Sequence, residues 1–138
     1  MSFGILADED KANLNNARLA SANFTGAQMH LFITLTAITH AITNVTLAAN
    51  EVTTGGYAPQ NLTGWSASVL TADFHAQSDA NPVTFSNTSG GDTPLIRGWW
   101  YKDVSTGKCI IAGLFDNPFV ILAGSSYTVT PTFRVTNE

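Results

Sequence analysis

The sequence predicts an all-β protein of one domain, either a single antiparallel sandwich or a closed barrel. Three observations predict it. Short apolar stretches alternate with polar residues at a period of two. Seven or eight such strand candidates succeed one another at roughly the 8–12-residue spacing of sandwiches and barrels. Threonine, serine and asparagine stand where charges usually stand: charged residues make up 12% of the chain, against about 25% in an average soluble protein. A chain of 138 residues suits one domain. At that size roughly two-thirds of the unfolded surface can be buried without help from metals or disulfides. Hydrophobic content of 44% and a net charge of −4 argue against disorder.

Residues 1–27 read as an N-terminal arm with a short helix over 8–22. Asp8 can cap that helix, Glu9 and Asp10 suit its positive end, and Leu14, Ala17 and Leu19 lie near one face. The apolar tip Phe3, Ile5 and Leu6 precedes it; such a tip is either tucked into the core or docked on a neighbour, and since termini are usually frayed unless tied down, docking is the favoured expectation. Residues 28–138 read as the β domain. Met29, Leu31, Ile33 and Leu35 alternate with His30, Thr34 and Thr36, which predicts a half-buried strand. Ile38, Ile42, Val45 and Leu47 among threonines predict a second strand over 38–47. Gly55-Gly56 then punctuates the chain.

Further strands are expected over 65–75, with Trp65, Ala67 and Val69 on one face, and over 82–86, with Val83 and Phe85. Ser89-Gly90-Gly91-Asp92 reads as a turn. Residues 95–102 carry Leu95, Ile96, Trp99, Trp100 and Tyr101. Thr106-Gly107 is a hairpin signal, and 108–115 returns as a strand. Phe119 to Leu122 forms a short run expected to be buried. In the last strand Tyr127, Val129, Pro131, Phe133 and Val135 point one way, and Thr128, Thr130, Thr132, Arg134 and Thr136 the other. Pro131 cannot donate to a ladder, so this strand lies at an edge or contains a bulge.

Neighbours on a strand face opposite sides, so Trp99 and Trp100 cannot enter one core. Either that strand is buried on both faces, or one tryptophan is shown to a protein partner or a sugar.

Few residues carry a signal for chemistry. His30, His40 and His75 lack close metal-ligand spacing, and the single cysteine, Cys109, is distant from them in sequence and can form no internal disulfide. There is no G-x-S-x-G elbow and no phosphate loop after Gly90-Gly91. Asp8, Glu9 and Asp10 are explained by a helix start. Lys11, Arg18, Arg97, Lys102, Lys108 and Arg134 are scattered, not the basic patch that nucleic acid requires. The expectation is therefore no enzyme: no catalytic, cofactor-binding or metal-binding residues, and no cofactor. The N-terminus lacks the basic start and long apolar run of a secretory signal, and no run of about 20 apolar residues could span a membrane. The N-x-S/T triplets at Asn23, Asn44, Asn61 and Asn87 should then be unmodified.

Asn50-Glu51-Val52-Thr53-Thr54-Gly55-Gly56-Tyr57-Ala58-Pro59, with His30-Leu31-Phe32 before it and Leu62 and Trp65 after it, resembles a pattern of small structural proteins of tailed bacteriophages. Arg97-Gly98-Trp99-Trp100-Tyr101-Lys102-Asp103 with Thr106-Gly107 is similar to that family's later hairpin. Phe115, Pro118 and Gly124 through Val129-Thr130-Pro131 are similar to its ending. The resemblance covers about residues 28–136. The long Thr/Ile run 33–47 departs from it, where the family has an Asn- or Pro-rich turn.

The resemblance implies a jelly-roll-like sandwich and a part of the virion. The expected role is a capsid cement or decoration protein, made in the bacterial host cytoplasm and ending on the capsid surface. Its expected partners are itself, as a dimer or trimer, and the major capsid protein, with no direct nucleic acid and no membrane. The expected interface residues are Phe3, Ile5, Leu6, Trp99, Trp100 and Tyr101. The alternative is a tail- or fibre-associated receptor-binding module that takes carbohydrate.

Overall fold

The computed structural model describes residues 26–39, 41–67, 69–70 and 76–135. The helix expected over 8–22, the tip at Phe3, Ile5 and Leu6, and His40 and His75 lie outside them. The described residues are mostly β. They form strands β1 (Ala27–Phe32), β2 (Gln60–Leu62), β3 (Val69–Leu70), β4 (Ala76–Asp79) and β5 (Val83–Ser86). Strands β6 (Ile96–Asp103), β7 (Cys109–Phe119), β8 (Ser126–Val129) and β9 (Thr132–Val135) follow, and one short helix, α1 (Asn44–Ala49), lies between β1 and β2. The sheets are small and separate: β2-β1-β6-β7, β3-β4-β9 and β5-β8. Every strand pairing is antiparallel.

The alternation on β1 sorts its side chains onto two sides. Ala27, Met29 and Leu31 join Leu62, Ile96 and Tyr101 in the main core. Val83 and Phe85 of β5, with Ala80 and Ile121, close that core from the other side. Phe32, on the opposite face of β1, packs with Trp100 and Leu47 in a second cluster. Leu35, Ile38 and Ile42 pack against it, so the segment 33–50 covers the second face of the four-stranded sheet. Residues 95–102 were legible as one bulky strand because β6 is buried on both sides.

That covering segment corrects the strand expected over 38–47. Thr43 is extended (φ −123, ψ 159) and its hydroxyl accepts from the Thr46 N–H at 3.3 Å, an N-cap for α1. The Asn50 side-chain amide donates to Thr46 O at 2.8 Å at the other end. Leu47 is buried, and the Trp100 indole N–H donates to Asn44 Oδ1 at 2.9 Å. Cap and packing together outweigh the strand preference of the threonines. The first strand also stops at Phe32 rather than continuing to Thr36. There Glu51 bridges to Phe32, the Ile33 N–H donates to Asn50 O and the Val52 N–H to Leu31 O.

Three other expectations shift. Of the strand expected over 65–75, Trp65 to Ala67 are not strand and Val69–Leu70 is; 68 and 71–75 lie outside the described residues. The run Phe119 to Leu122 is not buried throughout: Ile121 is, but Val120 and Leu122 are exposed. The last strand is two strands. The chain pairs with β5 as β8, breaks at Thr130-Pro131, and pairs with β4 as β9. Its alternation survives the break. Pro131 is buried, Tyr127, Val129 and Phe133 are half-buried, and Thr128, Thr130 and Thr132 are exposed.

Two polar anchors hold the sheets and loops in place. Asn87 is buried, donates to Gly91 O at 2.9 Å and Ile121 O at 2.8 Å, and accepts from the Ser89 N–H at 3.0 Å. These bonds build the turn read at Ser89–Asp92, and they occupy the amide nitrogen of one N-x-S/T triplet. The Tyr101 hydroxyl donates to Thr132 O at 2.7 Å and accepts from the Thr132 N–H at 3.0 Å, joining β6 to β9. Burial raises the Tyr101 pKa to about 12 from 10.0 and also pushes the Tyr57 hydroxyl upward.

A raised tyrosine pKa stabilises the fold fully below the unfolded value, and that contribution drains away as pH climbs through the folded one. Stability to urea is therefore expected to fall between pH 10 and about 12. Tyr101→Phe should flatten that fall while lowering stability at pH 7 by about 1 kcal/mol.

Candidate interaction surface

The β6–β7 hairpin positions most of the residues expected at an interface. Trp100 is fully buried and stacks on His30, ring centroids 4.5 Å apart. Tyr101 is 3% exposed. Both were expected as interface anchors, and the structure corrects this. Strand β6 is covered on each face by the chain's own core, so neither ring reaches the surface. Trp99 is half-buried, lies beside Tyr101 with centroids 4.8 Å apart, and covers the backbone of Gly113. It remains the one described residue of the expected set with surface to offer. Phe3, Ile5 and Leu6 lie outside the described residues.

Surface missed by the sequence reading lies elsewhere on the same sheet. Strand β7 runs for 11 residues along its edge. No described strand pairs with its outer side. From Cys109 to Phe115 it carries no charge and no proline. Its neighbour β6 has four buried residues, whereas no residue of β7 is buried. The opposite edge, β2, is only three residues long and shows Asn61. The strand is in regular register with β6 from Ile111 to Leu114 and shifts register on either side, before Ile111 and between Leu114 and Phe119, and such irregularities are one way natural sheets blunt an apolar edge.

A groove follows β7 on the side of α1. One concavity, about 540 Å³, is lined by Ile38, Thr39 and Ile42 and by Cys109 to Ala112. A second of about 340 Å³ shares Ile42 and Cys109 with it and reaches past Val45 and Lys108, and a separate one of about 180 Å³ is lined by Leu35, Arg97, Leu114 and Asp116. Leu114 is 42% exposed and Val45 80%. Beyond the strand, Leu95 and Val120 flank the Ile96–Phe119 pair, and both are exposed, as is Leu122. These exposed groups are aliphatic. Burial pushes the Cys109 thiol pKa up.

Among the described residues, the one arrangement that looks chemical is His30, Glu51 and Tyr57. His30 Nδ1 lies 2.6 Å from Glu51 Oε1, the Tyr57 hydroxyl donates to the same oxygen at 2.8 Å, and the Leu31 N–H donates to the Tyr57 hydroxyl at 2.9 Å. His30 is buried between Trp100 and this carboxylate. The set ties the 51–57 segment to the end of β1 and opens onto none of the concavities above. Among the described residues no three His, Cys, Asp or Glu side chains are grouped to hold a metal, and no helix is long and apolar enough to cross a membrane. The chemistry this surface can offer is adhesion: ladder hydrogen bonds from an open strand and burial of aliphatic side chains. Compared with protein-family models, curated proteins and solved structures, the chain finds no match.

Proposed function

We propose that the chain is a structural protein of a tailed-bacteriophage virion, a cement or decoration protein that binds the major capsid protein and stabilises the shell. On this reading the three small sheets, which share one core, are the layers of a jelly-roll-like sandwich. The observation that carries the proposal is the apolar edge of β7, which no described strand pairs, with its flanking groove. It is a surface suited to a protein strand or side chain rather than to a reacting small molecule. The resemblance of residues 28–136 to small phage structural proteins supplies the setting. A protein that binds only the assembled shell stabilises it by its binding free energy, and many copies multiply modest contacts.

The receptor-binding alternative needs aromatic rings presented to a sugar. The burial of Trp100 and Tyr101 and the aliphatic character of the exposed large residues speak for the protein-binding reading. The test is co-sedimentation of the purified chain with capsids of its phage lacking it. Saturable binding, with a rise in the temperature at which the shell opens, is the expected result. Binding to a glycan array with none to shells would replace this reading with the alternative.

A further inference from the structure

We propose that the chain's own N-terminal segment covers this groove, with Phe3, Ile5 and Leu6 seated in the two joined concavities beside the start of β7. The inference goes beyond the cement reading and stands without it, because it concerns what occupies the surface before any partner arrives.

The point at which the segment joins the described fold is fixed. Gly26 O accepts from the Val104 N–H at 3.1 Å, at the turn of the β6–β7 hairpin. Strand β1 starts there, with Ala27 opposite Asp103, and β7 starts beside it, with Cys109 opposite Lys102. Residues 1–25 therefore meet the sheet at the end where the groove opens, past Gly107 and Lys108. From β1 to β7 is two strand spacings, about 10 Å. Residues 11–25 span that gap with length to spare, whether extended at about 3.3 Å per residue or helical at about 1.5 Å.

The chemistry of the two parts matches. The residues lining the two joined concavities include three isoleucines of β7 and its facing wall (Ile38, Ile42 and Ile110), one cation, Lys108, and no acid. The tip of the segment is apolar at Phe3, Ile5 and Leu6, and Asp8, Glu9 and Asp10 follow at once. A tip seated beside Ile110 and Ile111, with the chain then running back toward Gly26, brings that acidic run to Lys108 at the groove's mouth. One placement thus buries the apolar groups of both parts and pairs their charges. Tethering selects this occupant over a second copy, because a segment linked to its own groove presents itself at an effective concentration of order millimolar.

Cys109 lines both concavities and is the chain's one cysteine, so it serves as the probe. Phe3→Cys, Ile5→Cys and Ala7→Cys, made singly in the full chain, cover the registers the tip can take. On mild oxidation at least one is expected to form a disulfide with Cys109 within the chain, since such a bond needs Cβ atoms about 4 Å apart. Gly90→Cys, on the exposed turn, is the control that should not link. Deleting residues 1–7 should raise the rate at which a neutral maleimide labels Cys109 by about tenfold, the mark of a removed cover, with the circular dichroism spectrum unchanged. Failure of all three cysteines to link overturns the proposal, as does a labelling rate indifferent to the deletion. Links between chains in place of links within them give the groove to a second copy's segment and overturn it too. None of these readouts uses a shell. A chain that links internally yet binds no capsid, reduced or oxidised, defeats the cement reading alone.

Discussion

Trp100→Ala is expected to destabilise the fold by about 4 kcal/mol, the upper range for emptying a buried aromatic site, and to lower the melting temperature by on the order of 12 °C. The indole is fully buried and is the largest member of the cluster that fastens the 33–50 segment over the four-stranded sheet. Its loss also removes the stacking partner of His30 and the donor to Asn44 Oδ1. Trp100→Phe keeps most of the volume and should cost about 2 kcal/mol, reflecting the lost N–H and residual space. Chemical denaturation followed by circular dichroism checks both. A value for Trp100→Ala no larger than that for Trp99→Ala, which removes a half-buried ring, would contradict the two-sided burial of β6.

Gly98→Ala should cost about 3 kcal/mol although it adds one methyl group, because overpacking a tight core forces neighbours off their minima. Gly98 lies opposite Phe32 across the β1–β6 ladder, and the Phe32 ring lies over its Cα. A Cβ there would overlap that ring and the Gly113 carbonyl oxygen. Gly113 in turn sits beneath the Trp99 ring, where a Cβ would come within 2.8 Å of Cζ2. The two glycines are thus floors for two aromatic rings on opposite faces of one sheet. Gly90→Ala is the matched control: nothing lies within 4 Å of its would-be Cβ, and a change within about 0.5 kcal/mol is expected.

Strands announced by local chemistry were legible in the sequence. The alternation of β5, the bulky run of β6, the Thr106-Gly107 turn and the threonine-lined face of β8 and β9 depend on neighbours in the chain, and all are present. What depended on distant partners was not legible. Residues 38–47 look like a strand by composition, yet α1 is held by Trp100, 56 residues away, whose indole N–H donates to Asn44 Oδ1. Pro131 signalled an irregularity, but nothing local tells a bulge from a change of sheet.

The candidate surface was half legible. The aromatic run drew attention to the right hairpin and to the wrong residues, since large rings next to each other in a strand mark burial on two faces as readily as exposure. The informative feature was the neighbouring strand, uncharged from Cys109 to Phe115. Its position at an edge is a property of strand order, which no residue on it encodes.

The position of β1 has a consequence for synthesis. Its ladder partner, β6, lies between 66 (Phe32 to Gly98) and 76 (Ala27 to Asp103) residues further along. At the roughly 5–20 residues per second of translation, Met29, Leu31 and Phe32 leave the ribosome seconds before Trp99, Trp100 and Tyr101 exist to cover them. Closing so long a loop also makes this a slow folder for its size. Nascent chains arrested before residue 96 should therefore associate with chaperones, and release should coincide with emergence of the hairpin.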